Sequence, residues 1–373
     1  GAVAAPGTVL GARITSALVS LRQESSMIRR LPAVPILLAI ALAWLAVPAR
    51  AGVPAGGAMV QAAKGWLDSL APEQRARATR PFDDAARTGW HFIPKFERKG
   101  LPLREMVPSQ QQGAYDLLRA AVSQVGYDKS RDIMRLDEML RIQEGSNAKN
   151  IRDAERYFFT VFGEPSETGT WGLSVEGHHL SLNFVVRDGR VVDSTPQFFG
   201  ANPAEVRRRF EGLREPGFRV LAAEEQLAFD LVRSLSEEQR KVAIVAAEAP
   251  KDIRAAGEVQ SPREPEKGIR FDALTPDQQG VLRRLVDTYC AAMAEEVAKE
   301  RVMLLENAAG GWNALRFAWA GATEPGVGHY YLVEGPTFAI EFCNVQPDAE
   351  GNPANHIHCV WRDRTGDFDL PVP

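Results

Sequence analysis

The chain has 373 residues, 45% hydrophobic and 25% charged, with a net charge of −4. This is the composition of a folded globular protein, and the length admits two ordinary domains or one large one. The slight acidic balance argues against a nucleic acid or an anionic membrane surface as partner. Three cysteines, Cys290, Cys343 and Cys359, are too few for a disulfide scaffold.

The first signal along the chain starts at Met27. Arg29 and Arg30 precede an apolar stretch from Leu31 to Val47, which ends in Ala49-Arg50-Ala51. A short basic segment, an apolar run and an A-x-A site are the parts of a secretory signal. Residues 27–51 therefore read as a signal peptide, Gly52 as the first mature residue, and residues 1–26 as an extension outside the fold. A membrane anchor is the competing reading. Pro32, Pro35, Pro48 and the small residues closing the run favour cleavage. No later apolar run reaches the roughly 20 residues a membrane helix needs. The expectation is an exported protein, periplasmic or extracellular, with no stable membrane insertion after cleavage. Its mature domain would span 52–373, with a helical part over 58–165 and an α+β part over 166–373.

Helical periodicity runs through Met59, Ala63, Trp66, Leu67 and Leu70, then Ala114, Leu117, Leu118, Ala121 and Val122, then Ile133, Leu136, Met139 and Leu140. "IRDAERYFFTVFG" (151–163) is expected to be a short helix ended by Gly163 and Pro165. From Thr170 the pattern alternates, and Asp188-Gly189 between two runs predicts a hairpin. "GANPAEVRRRF" (200–210) predicts a helix with Asn202 as N-cap and Pro203 at its first position. Helices are expected at about 222–248 and 276–306, with a proline-bearing loop or linker over 249–272. Strands return from Asn313 onwards, with a turn at Glu334-Gly335-Pro336. The predicted class is α+β. A mainly antiparallel sheet is assembled from two β-rich blocks, about 170–195 and 313–363, and packed with helices from the N-terminal and middle regions.

Four short segments look alike: "LAPEQR" (70–75), "VPSQQQ" (107–112), "LSEEQR" (235–240) and "LTPDQQ" (274–279). Ser236 with Gln239, and Thr275 with Gln278, have capping-box spacing. No constant period links the four, so they read as helix starts sharing one cap chemistry rather than as a repeat.

Phosphate-loop, dinucleotide, H-E-x-x-H and G-x-S-x-G signatures are absent. The chemistry candidates are histidines. Of six, His178, His179, His329, His356 and His358 lie in the expected β-blocks. Alternation along a strand sorts them. Leu180, Leu182 and Phe184 define one face of the middle block, leaving His179, Ser181 and Asn183 on the other. Ile357, Cys359 and Trp361 define the core half of the last strand, leaving His356, His358 and Arg362 opposite. Phe338, Ile340 and Phe342 do the same for their strand, leaving Glu341 and Cys343 opposite. Cys343 and Cys359 thus fall on opposite faces, which disfavours a bridge between them. In "GHYYLV", His329 and Tyr331 share one face and Tyr330 the other.

Two histidines at i, i+2 on a strand project the same way and can bind one ion, which a third histidine and a carboxylate would complete. The expected ligands are His179, His356, His358 and His329, for one divalent transition metal (Zn, Mn, Fe or Cu). Glu341 and Arg362 are the catalytic candidates, Arg362 for a substrate carboxylate or phosphate. His178, Glu176, Asn183, Tyr330, Tyr331 and Asp363 complete the expected pocket, with Glu176 or Asp363 able to orient an imidazole. A metal-free polar pocket and ordinary structural histidines are the competing readings. The expected function is a metal-dependent hydrolase or oxidoreductase acting on an unidentified small molecule. The alternative is a non-catalytic module that binds a glycan or peptide through Trp171, Trp312, Trp319, Tyr330, Tyr331 and Trp361.

"WGLSVEGHHLSLNFVVRDGRVVDSTPQFFGANPAEV" (171–206), "GHYYLVEGPTFAIEFCNVQ" (328–346), "NHIHCVWRD…GDF" (355–368) and "GWHFIPKFERKGLPLREM" (89–106) together resemble the domain-of-unknown-function 3500 family. The resemblance spans nearly all of the expected mature chain and implies no particular reaction. It places the family's hallmark positions at Glu176, His178, His179, Asn183, His329, Tyr330, His356, His358 and Asp363. The family pattern continues past G-D-F-G into a short helical tail, where this chain reads "GDFDLPVP".

Overall fold

The computed structural model describes residues 55–145, 151–264 and 266–372. The extension and signal peptide expected at the N-terminus lie outside these residues. The chain opens with α1 (Ala55–Ser69), α2 (Pro72–Ala78) and the short strand β1 (Thr79–Arg80). β2 (Leu101–Pro102), α3 (Pro108–Ala121) and α4 (Gln124–Glu144) follow. Then come β3 (Phe158–Phe162), β4 (Thr170–Gly177), β5 (Leu180–Arg187), β6 (Arg190–Asp193) and β7 (Gln197–Ala201). The series then starts again: α5 (Ala222–Ser234), α6 (Glu237–Ala243), β8 (Ile244–Ala246), β9 (Ile269–Arg270), α7 (Pro276–Cys290) and α8 (Glu295–Asn307). It ends with β10 (Arg316–Gly321), β11 (His329–Glu334), β12 (Phe338–Asn344) and β13 (Ile357–Asp363).

All thirteen strands form one open, mostly antiparallel sheet in the order β1-β3-β4-β5-β7-β13-β12-β11-β10-β8, with β2 beside β3, β9 beside β10 and β6 beside β5. The fold is α+β, as the alternation of patterns predicted. The order reads the same from both ends once β1, β3, β4, β5 and β7 are matched to β8, β10, β11, β12 and β13. The two parallel pairs, β1 with β3 and β8 with β10, match as well. In the middle, β7 and β13 run antiparallel with Phe199 opposite Cys359. A pseudo-twofold axis passes there.

The look-alike segments are therefore a duplication, contrary to the reading of shared cap chemistry alone. In the first half Gln74 and Gln110 exchange amide hydrogen bonds of 3.1 and 2.9 Å, and each also accepts from the backbone N–H at the start of its own helix. Gln239 and Gln278 repeat this at 2.9 and 3.0 Å. The hairpin sequences VEGHHLSLNF (175–184) and VEGPTFAIEF (333–342) also correspond. Gln74 and Gln239 stand 165 positions apart, Gln110 and Gln278 168, and Val175 and Val333 158. Unequal loops shift the spacing, which hides the repeat from any fixed period.

Two stretches expected to be helical are not. Residues 158–162 form β3, because all five side chains are buried between sheet neighbours rather than along one helical stripe. Residues 202–218 form turns and bends. There the side chain of Asn355 accepts from the N–H of Glu205, and Asn202 turns to His356 instead of capping a helix.

The helices bury their apolar stripes on one face of the sheet. The main core joins Met59, Trp66, Leu117 and Leu136 to Phe159, Leu182, Phe342 and Trp361. The other face is not solvent-facing. Segments 81–100 and 247–264 lie over it and enclose a smaller cluster around Trp90, Phe92, Phe198, Ile253, Tyr330, Cys343 and Val360. Cys343 belongs to this second cluster and Cys359 to the first, and both are free thiols. Among the described residues, no helix is long and apolar enough to cross a membrane.

Candidate metal centre

His356 and His358 sit at the start of β13 and project to the second face of the sheet. His358 stands opposite Gly200 of β7 and Cys343 of β12. His179 arrives by a different route from the one strand alternation suggested. His178 and His179 are the two-residue turn between β4 and β5, and His179 has φ 62. That left-handed backbone is uncommon outside glycine, and histidine, like asparagine and aspartate, adopts it more readily than other residues. The turn is pinned by His179 N–H to the carbonyl of Phe92 at 2.9 Å and by Gly200 N–H to the carbonyl of His179 at 2.8 Å. Glycine at 200 leaves room for the ring, since a Cβ there would lie 2.8 Å from His179 Cδ2.

The result is a convergence of three Nε2 atoms. They lie 2.7 Å (His179 to His356), 3.1 Å (His356 to His358) and 3.3 Å (His179 to His358) apart. An ion at about 2.0–2.1 Å from each nitrogen would sit about 1 Å above their plane, with N–metal–N angles of roughly 80–110°. Those angles run from just below the octahedral value to about the tetrahedral one, so the three rings can form a facial tripod. Among the described residues these are the only three His, Cys, Asp or Glu side chains that meet in this way.

The electrostatics favour ligand-ready rings. Burial, then His358 and His178, push His356 down to about 2. Burial, then His178, His356 and His358, push His179 well below its ordinary value. Three nitrogens this close are satisfied either by the Nε2–H of one neutral ring donating to a neighbour or by a cation held among their lone pairs. A metal ion would engage all three at once.

The distal nitrogens are supported from behind. His358 Nδ1 lies 2.8 Å from Asp252 Oδ1, which fixes the proton on Nδ1 and leaves Nε2 free to bind. His356 Nδ1 lies 3.3 Å from the Asn202 amide nitrogen, while Asn202 Oδ1 is buried without a partner. With the amide turned over, Oδ1 accepts from an Nδ1–H of His356. Beneath His179, the His178 ring lies 3.7 Å away between centroids and is held by Asp137 and Arg152. Phe92 packs edge-on to His358 at 4.7 Å.

The remaining expected residues do not join the tripod. His329 does not supply a fourth ligand. It lies on the helix-covered face, stacked on Trp319 at 5.5 Å, with Nδ1 2.8 Å from the Val327 carbonyl and Nε2 3.0 Å from Glu225 Oε1. Tyr331 is on that face too, bonded to Tyr289. Glu341 shares the histidines' face but is engaged by the Tyr330 hydroxyl at 2.7 Å and by Arg254. Arg362 is buried and committed to Asp367 at 2.7 Å and to the Glu258 carbonyl, so it offers no free guanidinium to a substrate. Asn183 bonds the Pro196 carbonyl, Glu176 pairs with Lys99, and Asp363 pairs with Arg301. The carboxylate that orients an imidazole of the tripod is Asp252, in the stretch expected to be a loop or linker. Neither it nor Asn202 carried a sequence signal, because each is brought to its histidine from more than 100 positions away in the chain. Trp171, Trp319, Trp361 and Tyr331 are buried in the main core, so they do not line a groove.

Fold and site together define an α+β protein built from two related halves, with a three-histidine centre capable of holding a metal ion on the covered face of its sheet. The chain belongs to the DUF3500 family of proteins of unknown function, whose family model matches residues 54–370. Comparison with curated proteins and with solved structures finds no match.

Proposed function

We propose that the protein is a metal-dependent hydrolase in which His179, His356 and His358 hold one divalent transition-metal ion, zinc first. The observation that carries this reading is the convergence of three Nε2 atoms with no carboxylate among them. A structural zinc site fills four positions with protein ligands, whereas three ligands leave a position for water or substrate. Three neutral ligands also leave the full charge of the ion in place. Such an ion, when bound, acidifies water and polarises a carbonyl or phosphoryl oxygen.

The chain's own residues have separable roles in this reading. Asp252 holds the His358 proton on Nδ1. Asn202 would do the same for His356 with its amide turned so that Oδ1 faces Nδ1. The stacked pair Phe92 and Phe198, 3.9 Å apart, keeps water from one flank of the tripod. The substrate class is a small molecule, glycan or peptide with a hydrolysable bond. Export accompanies this proposal, supported by the sequence from Met27 to Ala51. N-terminal sequencing of exported protein should then begin at Gly52.

The test is turnover of an ester, phosphoester and amide panel by untagged protein loaded with zinc, manganese, iron or copper. Hydrolysis that chelation and His179→Ala both abolish supports the proposal. Oxidation confined to the iron or copper form would replace hydrolysis with redox chemistry at the same centre. Turnover indifferent to chelator and to His179→Ala would remove the centre from the reaction.

A further inference from the structure

The two halves of the fold each place a covering segment over an outer part of the sheet, next to a short parallel strand, and each leaves a cleft there. In the second half the cleft, of about 440 Å³, is mostly apolar around Val245, Ala318, Ala320 and Leu332, and its two cations, Arg254 and Lys267, both pair with Glu264. In the first half it is about 410 Å³ and is lined by Arg80, His91, Lys95, Arg98, Lys99 and Glu176, with Glu97 also present. The architecture is shared, so the cationic lining of the first cleft comes from residue choice. Where β8 supplies Val245, β1 supplies Arg80.

The cations of this cleft are not all used internally. Arg98 and Lys99 have side chains only 2% and 6% exposed, and Glu176 answers both. Arg98 also donates to the carbonyls of His91 and Ile93. Arg80 is paired with Asp84. Lys95 is exposed and, among the described residues, makes no hydrogen bond or ion pair; the ring of His91 makes no hydrogen bond. Burial, then the neighbouring Arg98, push the Lys95 ammonium below its ordinary value, and burial followed by Lys95 and Arg98 does the same to His91. Both groups therefore sense a positive field that Glu176 does not cancel. A concave site with unspent positive charge over nearly buried cations attracts anions.

We propose that this cleft binds a small oxyanion, a phosphate, sulfate or carboxylate group, with Lys95 and His91 as direct partners and Arg98 and Lys99 holding the field beneath. The site is separate from the histidine tripod. None of His179, His356 and His358 lines the cleft, although Glu176 lies three positions before His179 on the β4–β5 hairpin. The same loop serves both, since Phe92 touches His179 and His358 while its neighbour His91 faces the cleft.

Calorimetric titration of the untagged full chain with inorganic phosphate and with phenyl phosphate tests this. Phosphate should bind, Lys95→Glu should weaken it at least tenfold, and His356→Ala should leave it unchanged. Lys95 has no partner to lose, so its variant should keep the wild-type melting temperature. Tighter binding of phenyl phosphate would identify the anion as one end of a larger ligand, and equal or weaker binding would identify a free ion; both support an oxyanion site. No binding of either probe, binding unchanged in Lys95→Glu, or binding lost in His356→Ala would overturn it. Metal content is measured separately, so a failure here leaves the tripod untouched.

Discussion

Asp252 Oδ1 lies 2.8 Å from His358 Nδ1 and thereby joins a covering segment to a strand in the centre of the sheet. The carboxylate fixes which nitrogen of His358 carries a proton and how the ring is turned. Removing its charge should therefore act on the ion and little on the fold. Asp252→Asn should lower metal affinity about 10–100-fold. Competition with a chromogenic chelator measures this, with an unchanged melting temperature of the metal-free protein as the control.

Gly200 passes beneath the His179 ring. An added Cβ would also meet the Ile357 carbonyl at 2.9 Å, which is backbone and cannot swing away. Gly200→Ala should push His179 out of the tripod and cost about 1–3 kcal/mol of stability. Denaturant unfolding with and without metal should show that the metal no longer stabilises the variant as it does the wild type.

Protonation should compete with both folding and metal. His356 is pushed down to about 2, and His179 lies well below 6.5 in the fold, whereas both titrate near 6.5 in the unfolded chain. Depressed values mean that the unfolded state binds more protons below that point. The contribution is fully present above pH 6.5 and shrinks as pH falls through 6.5 and beyond. Melting temperature of the metal-free protein should drop between pH 7 and pH 5, and His356→Asn should flatten that slope.

His329 offers a control on the other face. Glu225 is raised by burial but held below the ordinary carboxylate value by bonds from His329 and Asn344 and by the charge of Arg219. His329→Leu should cost about 3 kcal/mol by stripping a buried carboxylate of one partner. Metal stoichiometry should not change. A loss of metal in this variant would return His329 to the centre.

The sequence made the tripod partly legible. Alternation placed His356 and His358 together because Ile357, Cys359 and Trp361 between and after them are apolar. It set Cys343 and Cys359 on opposite faces for the same reason. It left the face of His329 open to misassignment, since Tyr330, Tyr331 and Leu332 are all compatible with burial and both faces of this sheet are buried. His179 was expected on the correct face, but the turn geometry that puts it there is a backbone property with no alternation to reveal it. Residues 158–162 were mistaken for a helix because a strand buried on both faces loses its alternation. Asp252 was invisible because its partner is distant in sequence. The duplication shows in the sequence as four similar segments, but the interval between them drifts and hides it from any fixed period.

Metal content of the untagged protein tests the central claim most directly, by elemental analysis of the wild type and His358→Ala after equilibration with equimolar zinc, manganese, iron or copper. The tripod predicts one equivalent of one metal per chain in the wild type, with a raised melting temperature, and loss of both in His358→Ala. A wild type that retains none of the four metals and gains no stability from them, or a variant that retains as much as the wild type, would contradict it.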